Sequence, residues 1–269
     1  MDEFLRYIFR NQWVVFIIPA LLLTGGAELG FRFGLRLYVS QDEARKAQIS
    51  GIQGAILGLL ALLLGFTFAM AVNRYDVRRT LVVKEANAIG TTFLRASLLP
   101  EAHVAPVEDL LRRYVGLLLK YQPLSKDPVK LAEGLRLTAD VHAALWAHAL
   151  AASREAPTPI VATFINALNE TIDTESERIA SGRHTVPGSV WLLLLIVAFL
   201  GCFTSSYSAG AQGARFPFSS ILLPLLITVV VTLVADIANP WRGFIAVSQQ
   251  SLVDLQQAMG PIPDSGSGR

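Results

Sequence analysis

The chain has 269 residues, of which 52% are apolar and 16% charged, with a formal net charge of +2 at pH 7. The apolar residues are gathered into long blocks, which excludes an ordinary soluble domain and reads as an all-α integral membrane protein with four transmembrane helices. So small a charge, with no basic tract interleaved with aromatics, argues against nucleic acid as a partner, and the single cysteine, Cys202, excludes an intrachain disulfide and a Cys-based zinc site.

Residues 1–50 hold the first span and a polar link. The span runs from Trp13 to about Leu35, and Gly25-Gly26-Ala27-Glu28 makes a poor cleavage site, so the segment is read as a retained anchor. Gly26, Gly30 and Gly34 recur at fourfold spacing and form a smooth stripe on which another helix can settle. Glu28 and Arg32 are spaced to pair along the same helix, and Glu28 is read as the end of the span or as a functional carboxylate.

Residues 51–100 organise the rest. From Gly51 to Val72 no charge interrupts the apolar run, long enough to cross a hydrocarbon core of roughly 30 Å. No helix breaker follows until Pro100, so the stretch is predicted to be one helix of about 70 Å at 1.5 Å per residue that leaves the bilayer at Asn73. Gly54, Gly58, Ala61 and Gly65, with Thr67, form a small-residue seam that either packs on a neighbouring helix or lines a pore. Arg74, Arg78 and Arg79 make a positive collar at the exit, which anchors on lipid phosphates or, multiplied around an axis, attracts anions. Glu85, Asn87, Thr91 and Thr92 make the next stretch polar; buried, these groups must be hydrogen-bonded, and an interhelix or intersubunit network is favoured over a ligand site.

Residues 101–185 have the composition of a soluble helical region. Val107 to Leu118 has amphipathic spacing, with Pro106 near its first turn and a stop expected before Pro123. A second helix is expected from Pro128 to Ala152, burying Leu131, Leu135, Val141, Leu145 and Trp146, and a third from about Ile160 to Ser181. The four histidines, His103, His142, His148 and His184, are dispersed, and His142 and His148, six apart, face away from each other, so no metal pair is expected.

Residues 186–238 form a hairpin of spans, Val186 to about Ser208 and about Phe218 to Ala235, with Pro224 inside the last. Residues 239–269 close the chain outside the membrane, with an amphipathic stretch from Ser248 to Met259. At the end of the fourth span Asp236 faces a turn containing Arg242, and it is read as a cap paired with Arg242 or as a group in ion or proton passage. Four spans place both termini on one side. Arg6, Arg10, Arg74, Arg78, Arg79, Lys84, Arg178, Arg183 and Arg242 stand against Arg32, Arg36, Arg45, Lys46 and Arg215, which makes that side cytoplasmic.

The run from Gln53 to Phe68, followed by Glu85 to Thr91, resembles the bacterial bestrophin-like membrane-protein family, and Leu168 to Asp173 and Asp236 to Gly243 agree with it. The resemblance implies a four-span protein of the bacterial inner membrane with a cytoplasmic helical region, and a distant likeness to bestrophins, pentameric anion channels whose second span lines the pore. It implies a homo-oligomer in a lipid bilayer with inorganic ions as cargo, and by position it makes Phe66 and Phe68 candidates for the bestrophin neck aromatics. No catalytic constellation, metal site or cofactor is expected. The sequence therefore points to an oligomeric, anion-selective channel or channel-like protein. The alternative is a non-conducting scaffold that binds a partner through its cytoplasmic helices, and a third reading is a proton-driven stator using Asp236 or Glu28.

Overall fold

The structure, a computed structural model, describes residues 12–36, 43–121, 127–183, 186–213, 217–238, 245 and 247–261. Among the described residues it is entirely helical: α1 (Gln12–Arg36), α2 (Glu43–Ala96), α3 (Glu101–Tyr121), α4 (Pro128–Glu155), α5 (Pro159–Arg183), α6 (Gly188–Ala211), α7 (Pro217–Ala238) and α8 (Gln250–Met259). Four of them, α1, α2, α6 and α7, contain stretches long and apolar enough to cross a membrane. The all-α, four-span architecture read from the sequence is the one found.

The boundaries differ most at the two ends of α2 and at the start of α3, for local reasons. α2 starts at Glu43 rather than Gly51, because Glu43 to Gln48 is rich in good helix formers and Lys46 Nζ closes on Glu43 Oε1 at 2.8 Å. It ends where the Ser97 hydroxyl donates to the Leu94 carbonyl at 2.8 Å and the amides of Leu98 and Leu99 bond back three residues, ahead of Pro100. α3 then begins at once at Glu101, whose carboxylate suits a helix N-terminus, so Pro106 lies inside the helix rather than in its first turn.

The chain divides into two compact units, Met1–Tyr75 with Thr185–Ile245, and Asp76–His184 with Ala246–Arg269. In the first, α1 packs on α6 and α7. The glycine stripe explains how closely. A Cβ at Gly26 would stand 2.6 Å from the Phe199 ring; at Gly30 and Gly34 it would run into the carbonyl oxygens of Phe203 and Tyr207, and at Gly210 into that of Phe31. Backbone thus meets backbone, with Leu23, Ala27, Leu194, Ala198 and Cys202 buried alongside. The Arg32 guanidinium pairs with Glu28 at 2.8 Å on the same helix. α2 joins this unit through Ile56, Leu57 and Leu60, which lie over Gly201 of α6, and through Gln53 Nε2, 3.4 Å from Ser205 Oγ.

The second unit has its own apolar core. Val107, Leu111, Tyr114, Val115 and Leu118 give α3 a buried stripe at three-and-four spacing, against Val82, Ala86 and Ile89 of α2, Val141 and Leu145 of α4, Phe164 and Leu168 of α5, and Leu252 and Met259 of α8. Asp127 caps α4, accepting the Val129 amide at 3.0 Å, with Pro128 at the first position. Leu131, Leu135 and Trp146, expected in the core, are only half-buried. The first turns of α4 meet the end of α3, where Gly134 takes Tyr121 against its backbone.

Candidate functional site

Three groups of residues along α2 carry the site, and each begins with the question of which face of the helix it occupies. Only 17% of the apolar window of α2 is buried, against 33–39% in the other spans. The buried face carries Leu60, Thr67 and Ala71, with Ile56, Leu57, Leu63 and Leu64 beside it. At about 100° per residue the small residues fall on the opposite side. Gly54, Gly58, Ala61 and Gly65 are exposed, and a Cβ at any of the three glycines would have nothing within 4 Å. Thr67 is separate from this seam: it is buried, and its hydroxyl donates to the Leu63 carbonyl.

At the next turns Arg74 is half-buried, Arg78 is 7% exposed and Arg79 is exposed, so the three do not share one face. Asp76, between them in sequence, is exposed.

The polar stretch beyond divides in the same way. Asn87 is exposed and Thr91 half-buried, while Glu85 and Thr92 are fully buried in the second unit. Their side-chain partners come from α3 and α5 rather than from α2. Thr92 Oγ1 lies 2.8 Å from Thr171 Oγ1, and both hydroxyls reach carbonyls one turn back in their own helices. Arg178 Nε stands 2.6 Å from Glu85 Oε2, and the Tyr114 hydroxyl donates to Glu85 Oε1 at 3.4 Å. Arg178 also approaches Glu175 at 4.0 Å, and Glu175 Oε2 lies 3.4 Å from His142 Nδ1. The His142 ring packs on Tyr114 with centroids 4.8 Å apart. On the surface nearby, Lys84 pairs with Glu177 at 2.8 Å.

This cluster holds two carboxylates and one guanidinium away from water. Burial raises the Glu85 carboxyl, which lies well beyond the apolar stretch of α2, and Arg178 opposes the shift. Burial likewise raises Glu175, against the pull of Arg178 and a hydrogen bond from Thr138. Tyr114 is pushed well above its usual range by burial and then by Glu85. Burial lowers His142 from 6.5 to about 4, so the imidazole is neutral at pH 7.

The two kinds of group act on stability with opposite sign. Between pH 6.5 and about 4 the unfolded chain takes a proton on His142 that the folded chain refuses, so stability falls as pH falls through that window. The raised carboxyls take protons first in the folded state, so their contribution grows as pH falls toward 4.5. Replacing His142 with asparagine is therefore expected to remove an acid-side loss of about 3 kcal/mol. Denaturation of wild type and variant across a pH series in detergent measures it; parallel profiles would count against the assignment.

At the end of α7, Asp236 is 9% exposed and accepts the Ile245 amide at 3.1 Å. Its proposed partner Arg242 lies outside the described residues. Tyr114, Thr138 and Glu175 were not singled out from the sequence, and His142 and Arg178 entered only as a dispersed histidine and a charge near the membrane; the inward-facing positions of α3, α4 and α5 carry all five, and only the register of those helices brings them to Glu85. Among the described residues no three metal-ligating side chains converge.

The fold is similar to that of solved bacterial membrane proteins. A crystal structure of a bacterial bestrophin homologue from Klebsiella pneumoniae matches with a TM-score of 0.63 at 16% identity, over 90% of this chain and 98% of that one. A variant of the same homologue gives a TM-score of 0.64 at 17% identity, over 91% and 97%, and a crystal structure described only as a membrane protein variant gives 0.65 at 15%, over 90% and 96%. No curated protein matches in sequence. The model of the bestrophin-like domain matches residues 21–252, and the chain, with four apolar spans and this fold, belongs to the bestrophin-like family.

Proposed function

We propose that this chain forms a homo-oligomeric ion channel in the bacterial inner membrane, with α2 facing the axis of the assembly and both termini, with the second unit, in the cytoplasm. Family membership supports a channel-like membrane protein. The observation that carries the pore is the seam: among the described residues nothing lies within 4 Å of a Cβ placed at Gly54, Gly58 or Gly65. Small side chains leave room for a hydrated path, whereas the packed face of the same helix carries leucines. Anion selectivity rests on the exit turns, where Arg74, Arg78 and Arg79 outnumber Asp76, and Arg79 is exposed. Glu85, Thr92 and their partners hold the helix beyond the exit, and Asp236 ties the end of the fourth span to the Ile245 amide.

A glycine seam of this kind also suits the close approach of a second helix, as Gly30 and Gly210 illustrate within this chain. That observation favours a second reading, a non-conducting scaffold whose cytoplasmic helices bind a partner. Chloride flux into vesicles containing the purified protein separates the two. Gly58→Leu and Gly65→Leu are expected to cut flux at least about tenfold while the oligomer persists, and Arg79→Glu is expected to move the reversal potential toward cations. Wild-type vesicles no leakier than empty ones, over a range of pH and calcium, would leave the scaffold.

A further inference from the structure

Outside the α2 site, one pair of side chains joins two helices through a single proton. His103, in the first turn of α3, and His148, on α4, point their Nδ1 atoms at each other over 3.0 Å, with rings near perpendicular at 75°. A contact of that length is an N–H···N hydrogen bond, in which one nitrogen donates and the other is bare. The sequence spacing of His142 and His148 concealed it, because the partner of His148 comes from the preceding helix. On its far side His103 Nε2 lies 3.4 Å from Glu155 Oε2, and Glu155, seven residues after His148, stands on the same face of α4 two turns on. His103 thus bridges two turns of α4. Its own amide donates to the Pro100 carbonyl at 2.8 Å, where α2 gives way to α3. Both rings are half-buried, and Ala149 and Ala152, between His148 and Glu155 on α4, are 1% and 0% exposed.

We propose that this pair is a latch that acid releases: one proton in the gap ties the start of α3 to α4 at neutral pH, and protonation of both facing nitrogens opens the junction. With both rings neutral, Glu155 accepts the His103 Nε2 proton, His103 Nδ1 is bare, and His148 donates its Nδ1 proton to it. A first added proton leaves the bond in place. It enters at His148 Nε2, the Nδ1 proton crosses to His103, and the imidazolium so formed donates back to the bare Nδ1 of His148. The one nitrogen then left to take another proton is His148 Nδ1, in the gap, where it would set two N–H groups and two positive rings against each other. The other charged groups around the pair do not relieve this. Glu101, two residues before His103, and Arg154, next to Glu155, are exposed. Arg95, in the last turn of α2, donates to the Thr163 carbonyl at 2.8 Å, and residues 159–169 of α5 carry no titratable side chain. Burial, and then His103, lower the affinity of His148 for protons, so its contribution is present above pH 6.5 and is lost as the pH falls below it. The latch does not depend on the channel reading.

Hydrogen exchange of the full-length protein in detergent, read at the amides of residues 103–111 and corrected for its intrinsic dependence on pH, provides the test. His148→Gln keeps a donor and an acceptor for the His103 ring but takes no proton. Between pH 7.5 and pH 5.0 wild type is expected to lose about tenfold more protection than this variant, because the open junction holds one more proton than the closed one. The variant retains His142, so the difference isolates the pair. Equal dependence on pH in the two proteins overturns the proposal. Should the variant fail to fold, nitrogen NMR of wild type labelled at histidine decides at pH 5.0. One charged and one neutral ring, coupled across the gap, support the latch, and any other pattern overturns it.

Discussion

Gly30→Val is expected to dismantle the membrane unit, with a loss above the ~1–3 kcal/mol usual for overpacking. The obstruction here is the Phe203 carbonyl of α6, and backbone cannot rotate aside as a flexible side chain can. α1 would have to withdraw, uncovering Leu23 and Ala27, which are 0% and 1% exposed. Gly210→Val should do the same from the other side, since it meets the Phe31 carbonyl. Gly25→Ala is the control: nothing lies within 4 Å of it, and replacing a helical glycine there should add about 0.5–1 kcal/mol. Thermal unfolding and monodispersity in detergent provide the readout. Gly30→Val with a wild-type midpoint would mean that α1 does not rest on α6.

Arg178→Met is the second large effect, expected at about 3–5 kcal/mol near neutral pH. The guanidinium is the counter-charge for Glu85, which is 0% exposed, and the nearest cation to Glu175 at 6%. Without it the two carboxylates must stay charged in the core or take protons, and both are already displaced upward by burial. The penalty should therefore shrink as the pH is lowered and the carboxyls are neutralised. Glu85→Gln should cost less, because it removes one negative charge from a cluster with two and leaves an oxygen for the Tyr114 hydroxyl. Denaturant melts of both variants at pH 7.5 and 5.5 check the order and the trend. A loss for Arg178→Met no greater than the ~1 kcal/mol of an exposed ion pair would contradict it.

What the sequence made legible was local. The spans could be read because an uncharged apolar run has few alternatives, and the α1 stripe because a fourfold repeat of glycine marks a face wherever the helix lies. The partner of that stripe was not legible, since nothing local says that α6 rather than α2 covers it. Thr67 illustrates a different limit: two residues from Gly65 it stands about 200° round the helix, and it belongs to the buried face. Glu85 was recognisable as a group that must be satisfied if buried, but Tyr114, Glu175 and Arg178 reach it only through the register of three helices. The same lack of register hid the hydrogen bond between the rings of His103 and His148, whose Nδ1 atoms lie 3.0 Å apart.

The pairing of α1 with α6 and α7 also bears on the order in which the chain can be made. The first two spans are complete by Val72, yet the face on which α1 rests is made by α6 and α7, which end at Ala211 and Ala238. During synthesis α1 therefore waits through the whole of α3, α4 and α5 before its glycine stripe can be covered. The second unit waits longer still, since Leu252 and Met259, 0% and 5% exposed, belong to its core. The membrane unit is thus closed by α6 and α7 and the second unit by α8, and a chain cut short before α8 would carry a complete membrane unit and a second core without its final wall.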